Sequence, residues 1–391
     1  MSTVYLCIGT PKTGTTALQS FMRENEKLLN EQGYAFPQLN IGLKGIFRDR
    51  NAHFLVNHIT QDNYNDEHKL KQKELNEKAY SELEKCGKKF ENIILSDEQI
   101  WYRCNYEEKF WERLKEDFGK IDCKVKVVVY LRRQDMIVQS LWNQLIKMHR
   151  RKIHTFEESL EINDYDYFPL DYFKQLKNIE EHIGKDNLIV RVYEKKQLKN
   201  QSLYEDYFDI MGVKLNEKFT YNQVAGNVGL TGNYIEIKRI INGVTDYRKM
   251  EDFLCRPIIN ASIYGNSIEP QKKVSFFSYD EQIEFLNKYE KSNNQVAKYY
   301  LNKNTGLFEE EKKEFPKWKV DNEKMYRDVI ISMTEVFCRQ QQQIQDLQNK
   351  YNEISDIRKE LDEEKRMLES VYNSAIFRLY RKIRYMVKKQ K

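Results

Sequence analysis

The stretch Val4-Tyr5-Leu6-Cys7-Ile8-Gly9-Thr10-Pro11-Lys12-Thr13-Gly14-Thr15-Thr16, running on into Ala17-Leu18-Gln19-Ser20-Phe21-Met22, decides the fold. Its first part is apolar and rich in β-branched and aromatic residues, the composition of a buried strand. A turn rich in Gly and Pro follows, and from Thr15 onward the apolar residues take helical spacing. Strand, Gly-rich loop and helix N-terminus together make an anion cradle, because loop N–H groups and the positive end of the helix dipole converge on one place. Lys12 adds a cation there. A phosphate ester is the natural ligand.

Working outward, strands and helices alternate. Thr15 to about Glu31 reads as a helix with Leu18, Phe21, Met22, Leu28 and Leu29 on its apolar face, closed by Gly33 and followed by the short extended piece Tyr34-Ala35-Phe36-Pro37. Asn51 to Ile59 reads as a short helix carrying His53 and His58, and Glu67 to Lys85 as a charged surface helix. Asn92 to Ser96 is a second strand, ending in Asp97-Glu98-Gln99. Lys124 to Leu131 is the clearest strand of all, ending in Arg132-Arg133-Gln134, and Leu188 to Tyr193 is a fourth. Helices are expected at Glu107–Phe118, from Asp135 to about 149, near 170–183 and over Tyr279–Tyr300, with Pro257 and Pro270 bracketing a loop. This alternation predicts an α/β fold, a doubly wound parallel sheet flanked by helices. Such sheets bind ligands at the carboxyl ends of their strands. The loop at 9–14, Asp97-Glu98 and Arg132 all fall at such ends, so they converge on one crevice.

A second anion motif follows the clearest strand. Arg132 at its end and Ser140 in the next helix are spaced to meet at one anion, the arginine offering a bidentate fork and the serine a hydroxyl donor.

The first loop is not a triphosphate loop of the G-x-x-x-x-G-K-[ST] kind. Gly9 and Gly14 have its separation, but Thr15 stands where the lysine belongs, and the lysine present, Lys12, lies inside the loop. Pro11-Lys12-Thr13-Gly14-Thr15-Thr16 after a short N-terminal strand resembles the sulfotransferases, which hold the 5′-phosphosulfate of 3′-phosphoadenosine 5′-phosphosulfate (PAPS) in this loop. In that family an arginine and serine spaced like Arg132 and Ser140 bind the 3′-phosphate. Leu18-Gln19-Ser20-Phe21 with Asn25, Gly33-Tyr34 with Pro37, Leu141-Trp142-Asn143-Gln144 and Val192-Tyr193-Glu194 are similar to the bacterial carbohydrate-type branch. The resemblance spans about residues 3–315. It departs from the family late in the domain, where no Arg-Lys-Gly segment clamps the 3′-phosphate; Gly226 to Gly232 or Lys272-Lys273 are the substitutes in this chain.

The resemblance implies transfer of a sulfuryl group from PAPS to a carbohydrate hydroxyl or amine, in line and through a loose transition state, by analogy with phosphoryl transfer. Pro11, Lys12, Thr13, Gly14, Thr15, Thr16, Arg132 and Ser140 would hold the donor, and Lys12 would stabilise the leaving phosphate oxygen. No triphosphate has to be bridged, so no metal is required. The acceptor needs a base. Family members use a histidine or a glutamate, and here His53 and Glu98 are the candidates, since imidazole titrates near neutrality and a carboxylate serves when burial raises its pKa.

Composition bounds the partners. A length of 391 residues suffices for two or three units, here 1–320 as the transferase domain, 321–373 as a long coiled-coil helix and 374–391 as a basic amphipathic tail. The net charge is +5, yet Ile376 to Lys391 holds seven Lys or Arg and no acid, which leaves −2 for the rest. Nucleic-acid binding by a broad basic face is therefore excluded. Six scattered cysteines without C-x-x-C spacing point to reduced thiols and no metal site. No apolar run reaches the roughly 18 residues of a membrane span, and strand-forming sequence begins at Val4, leaving no room for a leader. From Ile344 to Ala375, residues Leu347, Tyr351, Ile354, Arg358, Leu361, Lys365, Leu368 and Tyr372 step by three and four, a heptad seam that predicts a homo-oligomer. Phe377, Leu379, Tyr380 and Ile383, with the basic residues around them, predict a helix lying on an anionic membrane surface. The expected setting is the cytoplasm, at the inner face of the cell membrane, with a surface or capsular glycan as acceptor. Two other functions fit the same features: a nucleotide-dependent kinase, and a non-catalytic coiled-coil scaffold at the membrane.

Overall fold

A computed structural model gives the fold, describing every residue except 40–48, 58–65, 149–152, 222–228, 245–246, 271, 310–313 and 390–391. Five strands, β1 Ser2–Cys7, β2 Tyr34–Ala35, β3 Asn92–Ser96, β4 Cys123–Leu131 and β5 Leu188–Val192, form one parallel sheet in the order β2-β3-β1-β4-β5. The fold is α/β. Alternate residues face opposite sides, and both sides are covered. Val4, Leu6, Ile93, Leu95, Val127 and Val129 belong to one core, while Tyr5, Cys7, Ile94, Val128 and Tyr130 belong to the other. Burial on both faces explains why these strands are continuously apolar rather than alternating.

Helices α1 Thr15–Glu24, α2 Glu26–Glu31, α3 Asp66–Gly87, α4 Ile100–Arg103 and α5 Phe110–Lys120 precede β4. Helices α6 Gln134–Lys147, α7 Phe156–Glu161 and α8 Tyr172–Ile183 lie between β4 and β5. After β5 come α9 Leu203–Met211, α10 Tyr234–Val244, α11 Tyr247–Ile268, α12 Tyr279–Asn287 and α13 Glu290–Leu301, then α14 Asn322–Asn373 and α15 Ala375–Lys389. Helices α1 and α9 close one face of the sheet through Phe21, Met22, Phe208 and Met211; α3, α5, α6 and α8 close the other. Because β1 pairs with β3 on one side and β4 on the other, the loop after β1 sits at the switch point of the sheet.

Three helical expectations and one loop expectation are corrected by side chains that compete with the backbone or by packing. The helix expected over 15–31 breaks at Asn25, whose amide donates to the Phe21 and Thr220 carbonyls and accepts from the Thr220 N–H. The helix expected from Asn51 shrinks to a single 3₁₀ turn, His53–Leu55. Asn51 instead bonds the Ile94 and Pro37 carbonyls and the Ser96 N–H, tying this segment to the end of β3. Pro257 opens no loop and lies inside α11, where burial of Ile258 and Ala261 outweighs the lost backbone hydrogen bond. The single helix expected over Tyr279–Tyr300 divides into α12 and α13, with Tyr289 turning the chain while its ring rests on Phe285.

Helix α14 is 52 residues long. Its first turns dock on the body, where Asp328 and Ser332 are buried and Lys324 and Arg327 pair with Glu269, the residue just after α11. From Gln341 to Asn373 nearly every residue is exposed, including Leu347, Tyr351, Ile354, Leu361 and Leu368 of the heptad seam. No helix among the described residues is long and apolar enough to cross a membrane.

Candidate active site

The loop after β1 is stitched to the strand beside it. The Thr10 N–H and hydroxyl both donate to the Tyr130 carbonyl, at 3.0 and 2.9 Å, and the Thr13 hydroxyl donates to the Thr10 carbonyl at 2.8 Å. Two residues adopt left-handed backbone here, Lys12 with φ 71° and Gly14 with φ 79°. Such conformations curl successive N–H groups toward one point, which is how a turn binds an anion. A Cβ at Gly14 would also lie 2.5 Å from Leu203 Cδ2, so that side chain would have to shift. Gly14 is the N-cap of α1 and offers no side-chain hydrogen bond, so the first-turn amides of α1 keep their donors for a ligand.

Lys12, Arg132 and Ser140, taken from two strand ends and one helix, line one cleft of about 330 Å³ together with Gln139, Asn143 and Gly229. The cleft is strongly cationic. Arg132 donates 2.8 Å to the Lys12 main-chain carbonyl and stacks over the Tyr193 ring at 6.0 Å. Its Nε is buried without a hydrogen-bond partner among the described residues. Burial pushes the Lys12 ammonium pKa down from its ordinary value; Glu98 opposes this shift and Arg132 adds to it. Arg132 is likewise lowered by burial, yet a guanidinium keeps its proton.

Glu98 sits at the edge of this loop and accepts a hydrogen bond from the Thr15 hydroxyl at the first turn of α1. His53 does not line the cleft. It is buried against the end of β3, its Nδ1 lying 2.7 Å from Oδ2 of Asp97. Arg50 lies 2.5 Å from the other carboxylate oxygen of Asp97. Although burial alone would raise the pKa of the Asp97 carboxyl, Arg50 and His53 together hold it below its ordinary value. The sequence places Asp97 at a strand end, but no local signal revealed Arg50 or the joining of Asp97 to Arg50 and His53, because these residues are 44 to 47 positions apart in the chain. Tyr193 belongs with them, as the aromatic floor under Arg132. Of the expected substitutes for the late phosphate clamp, Gly226 lies outside the described residues, Gly229 borders the cleft, and Lys272 and Lys273 are exposed; His58, the second histidine expected near His53, also lies outside the described residues. Among the described residues no cluster of three or more His, Cys, Asp or Glu side chains could hold a metal ion.

No protein-family model matches this chain. It is 27% identical over 191 residues to an uncharacterized protein of Archaeoglobus fulgidus, covering 49% of this chain and 50% of that protein. The chain thus spans about half the length of that relative. In three dimensions it is similar to a sulfotransferase from Alicyclobacillus acidocaldarius, with 13% identity and a TM-score of 0.35, over 57% of this chain and 86% of that one. So distant a likeness fixes neither chemistry nor acceptor.

Proposed function

We propose that this chain is a PAPS-dependent sulfotransferase acting on a hydroxyl or amine of a carbohydrate, with a cell-surface or capsular glycan as acceptor. The observation that carries the reading is that Lys12, Arg132 and Ser140 line one cleft, with Lys12 contributed by the loop that leads into α1. The residues fit a donor with phosphate at both ends. Lys12 and the N–H groups of Thr13 to Thr16, with Pro11 shaping the turn, suit the 5′ side. Arg132, whose Nε lacks a partner among the described residues, and the Ser140 hydroxyl suit the 3′-phosphate.

When bound, PAPS supplies an activated sulfuryl group on a phosphate leaving group. The acceptor oxygen or nitrogen loses its proton to a base as its bond to sulfur forms and the sulfur–oxygen bond to phosphate breaks. Lys12 and the loop amides neutralise the charge left on phosphate; a well-placed donor of this kind contributes roughly 3–4 kcal/mol to the transition state. His53 and Glu98 are the two bases within this end of the sheet.

The C-terminal helices extend the reading. We infer that the exposed heptads of α14 pair with a second copy of the chain, and that basic, amphipathic α15 rests on an anionic bilayer at the cytoplasmic face. Sedimentation of the full chain as a dimer that becomes a monomer on truncation after Gln340 supports the first; equal binding to anionic and neutral vesicles contradicts the second.

The function itself is tested by incubating the protein with PAPS labelled in the sulfuryl group and a panel of surface-glycan extracts. Label should enter glycan, and Lys12→Ala should abolish it. Magnesium-dependent phosphate transfer from ATP instead would move the reading to a kinase, and nucleotide binding without turnover on any glycan to a scaffold.

A further inference from the structure

We infer that Asp97 is a positioning residue for the proposed transfer: it locks the His53 imidazole in the tautomer that carries its proton on Nδ1, leaving Nε2 as the proton acceptor. This rests on the sulfotransferase reading and names the base within it.

The geometry leaves one arrangement of protons. Asp97 is 0% exposed, and its Oδ2 lies 2.7 Å from His53 Nδ1. A bare ring nitrogen and a carboxylate oxygen that close would repel; Arg50 Nη2 also lies 3.1 Å from Nδ1 but makes its shorter bond, 2.5 Å, to Asp97 Oδ1, so the proton is assigned to Nδ1, which donates to Oδ2. The other oxygen, Oδ1, accepts from Arg50 Nη2 at 2.5 Å and from the Gln99 N–H at 2.8 Å. With its oxygens engaged this way, the carboxylate orients the ring and does not itself take the proton. Arg50 offsets the charge of Asp97.

That arrangement strands a lone pair. His53 Nε2 is buried and has no hydrogen-bond partner among the described residues. An unsatisfied buried acceptor is destabilising, and a proton arriving from a bound acceptor would remove that cost. Asp97 is followed directly by Glu98, which holds Thr15 at the start of α1, so the imidazole is anchored one residue from the group that touches the phosphate loop. The charged groups around the ring are Arg50 on its own segment and Asp97 at the end of β3, with Glu98 acting on Arg50. In the step proposed, the acceptor proton moves to Nε2 as its oxygen or nitrogen bonds to sulfur and the sulfur–phosphate oxygen bond breaks. The imidazolium so formed is stabilised by Asp97, and phosphate leaves on 3′,5′-phosphoadenosine.

The test uses the full chain labelled with ¹⁵N-histidine. Long-range proton–nitrogen spectra should show His53 protonated on Nδ1 in the wild type and on Nε2 in Asp97→Asn, whose amide would donate to Nδ1. With PAPS and a glycan acceptor, Asp97→Asn and His53→Gln should each lower kcat by about 10²–10⁴-fold. KM for PAPS and affinity for 3′,5′-phosphoadenosine should stay within about threefold, and the double variant should be no slower than His53→Gln. Glu98→Gln should cost less than either. A wild-type ring protonated on Nε2 overturns the inference without any variant, as does a kcat that survives Asp97→Asn with the tautomer reversed. Failure of the wild type to bind 3′,5′-phosphoadenosine would sink the donor reading instead, and leave the tautomer result standing.

Discussion

The Arg132 guanidinium donates a 2.8 Å hydrogen bond to the main-chain carbonyl of Lys12, so the cation at the end of β4 also braces the loop after β1. Arginine can hold a carbonyl with one N–H and a phosphate with others; lysine, a point donor, cannot do both in the same geometry. Arg132→Ala is therefore expected to weaken binding of 3′,5′-phosphoadenosine by about 10- to 100-fold, the worth of charge-assisted hydrogen bonds of roughly 1.5–3 kcal/mol. Arg132→Lys should recover less than half of that free energy. Calorimetric titration of the three proteins checks it; full recovery by lysine would reduce Arg132 to a point charge.

The Lys12 ammonium gives a pH dependence with a definite sign. Burial holds its pKa below 10.5, and Glu98 is the neighbour that opposes the fall. Affinity for the dianionic end of the nucleotide should decline as pH rises through that lowered value. In Glu98→Gln the decline should begin at lower pH, because the group supporting the charge has gone. Lys12→Arg should remove the alkaline limb. Affinity measured from pH 7 to 10 decides; an unchanged limb in Glu98→Gln contradicts the coupling.

Much of this site is legible in the sequence because it is local. Gly9 to Thr16 is a continuous segment whose turn residues, lysine and helix start announce an anion cradle by themselves, and β4 announces Arg132 by ending in it. The α/β class follows from strand runs that read apolar on both faces. What the sequence hides is what long-range side chains decide. Asn25 breaks a helix through a bond to Thr220, and Asn51 replaces a helix by stitching to β3. The Arg50–Asp97–His53 cluster exists only once β3 has delivered Asp97 beside a loop folded from residues more than 40 positions earlier.

Gly14 should tolerate no side chain. Its φ of 79° is left-handed, and a methyl would meet Leu203 Cδ2 at 2.5 Å. Gly14→Ala is expected to destabilise the protein by about 1–3 kcal/mol, from backbone strain and overpacking together. Adding Leu203→Ala should relieve the overpacking part alone. Thermal melting of the single and double variants separates the two contributions.

Asp97 sets an acid limit on stability. Its pKa is depressed in the folded state by Arg50 and His53, against the opposing effect of burial. A depressed carboxylate contributes stability that is present above its unfolded pKa, near 3.8, and is lost as pH falls through the folded value. Asp97→Ala leaves Arg50 without its buried counter-charge and should cost about 3–5 kcal/mol at neutral pH. The variant's stability should then fall less steeply below pH 4 than that of the wild type. Urea unfolding at pH 7 and pH 3 measures both; equal slopes would show that Asp97 does not titrate in this way.

The account turns on one cleft binding a nucleotide that carries phosphate at both its 3′ and 5′ ends, and calorimetric titration with 3′,5′-phosphoadenosine tests that most directly. Binding without magnesium, tighter than that of AMP or ATP by at least about tenfold and lost in the Lys12→Ala, Arg132→Ala double variant, is the predicted result. No binding by the intact chain, or binding that survives the loss of both cations, would contradict it.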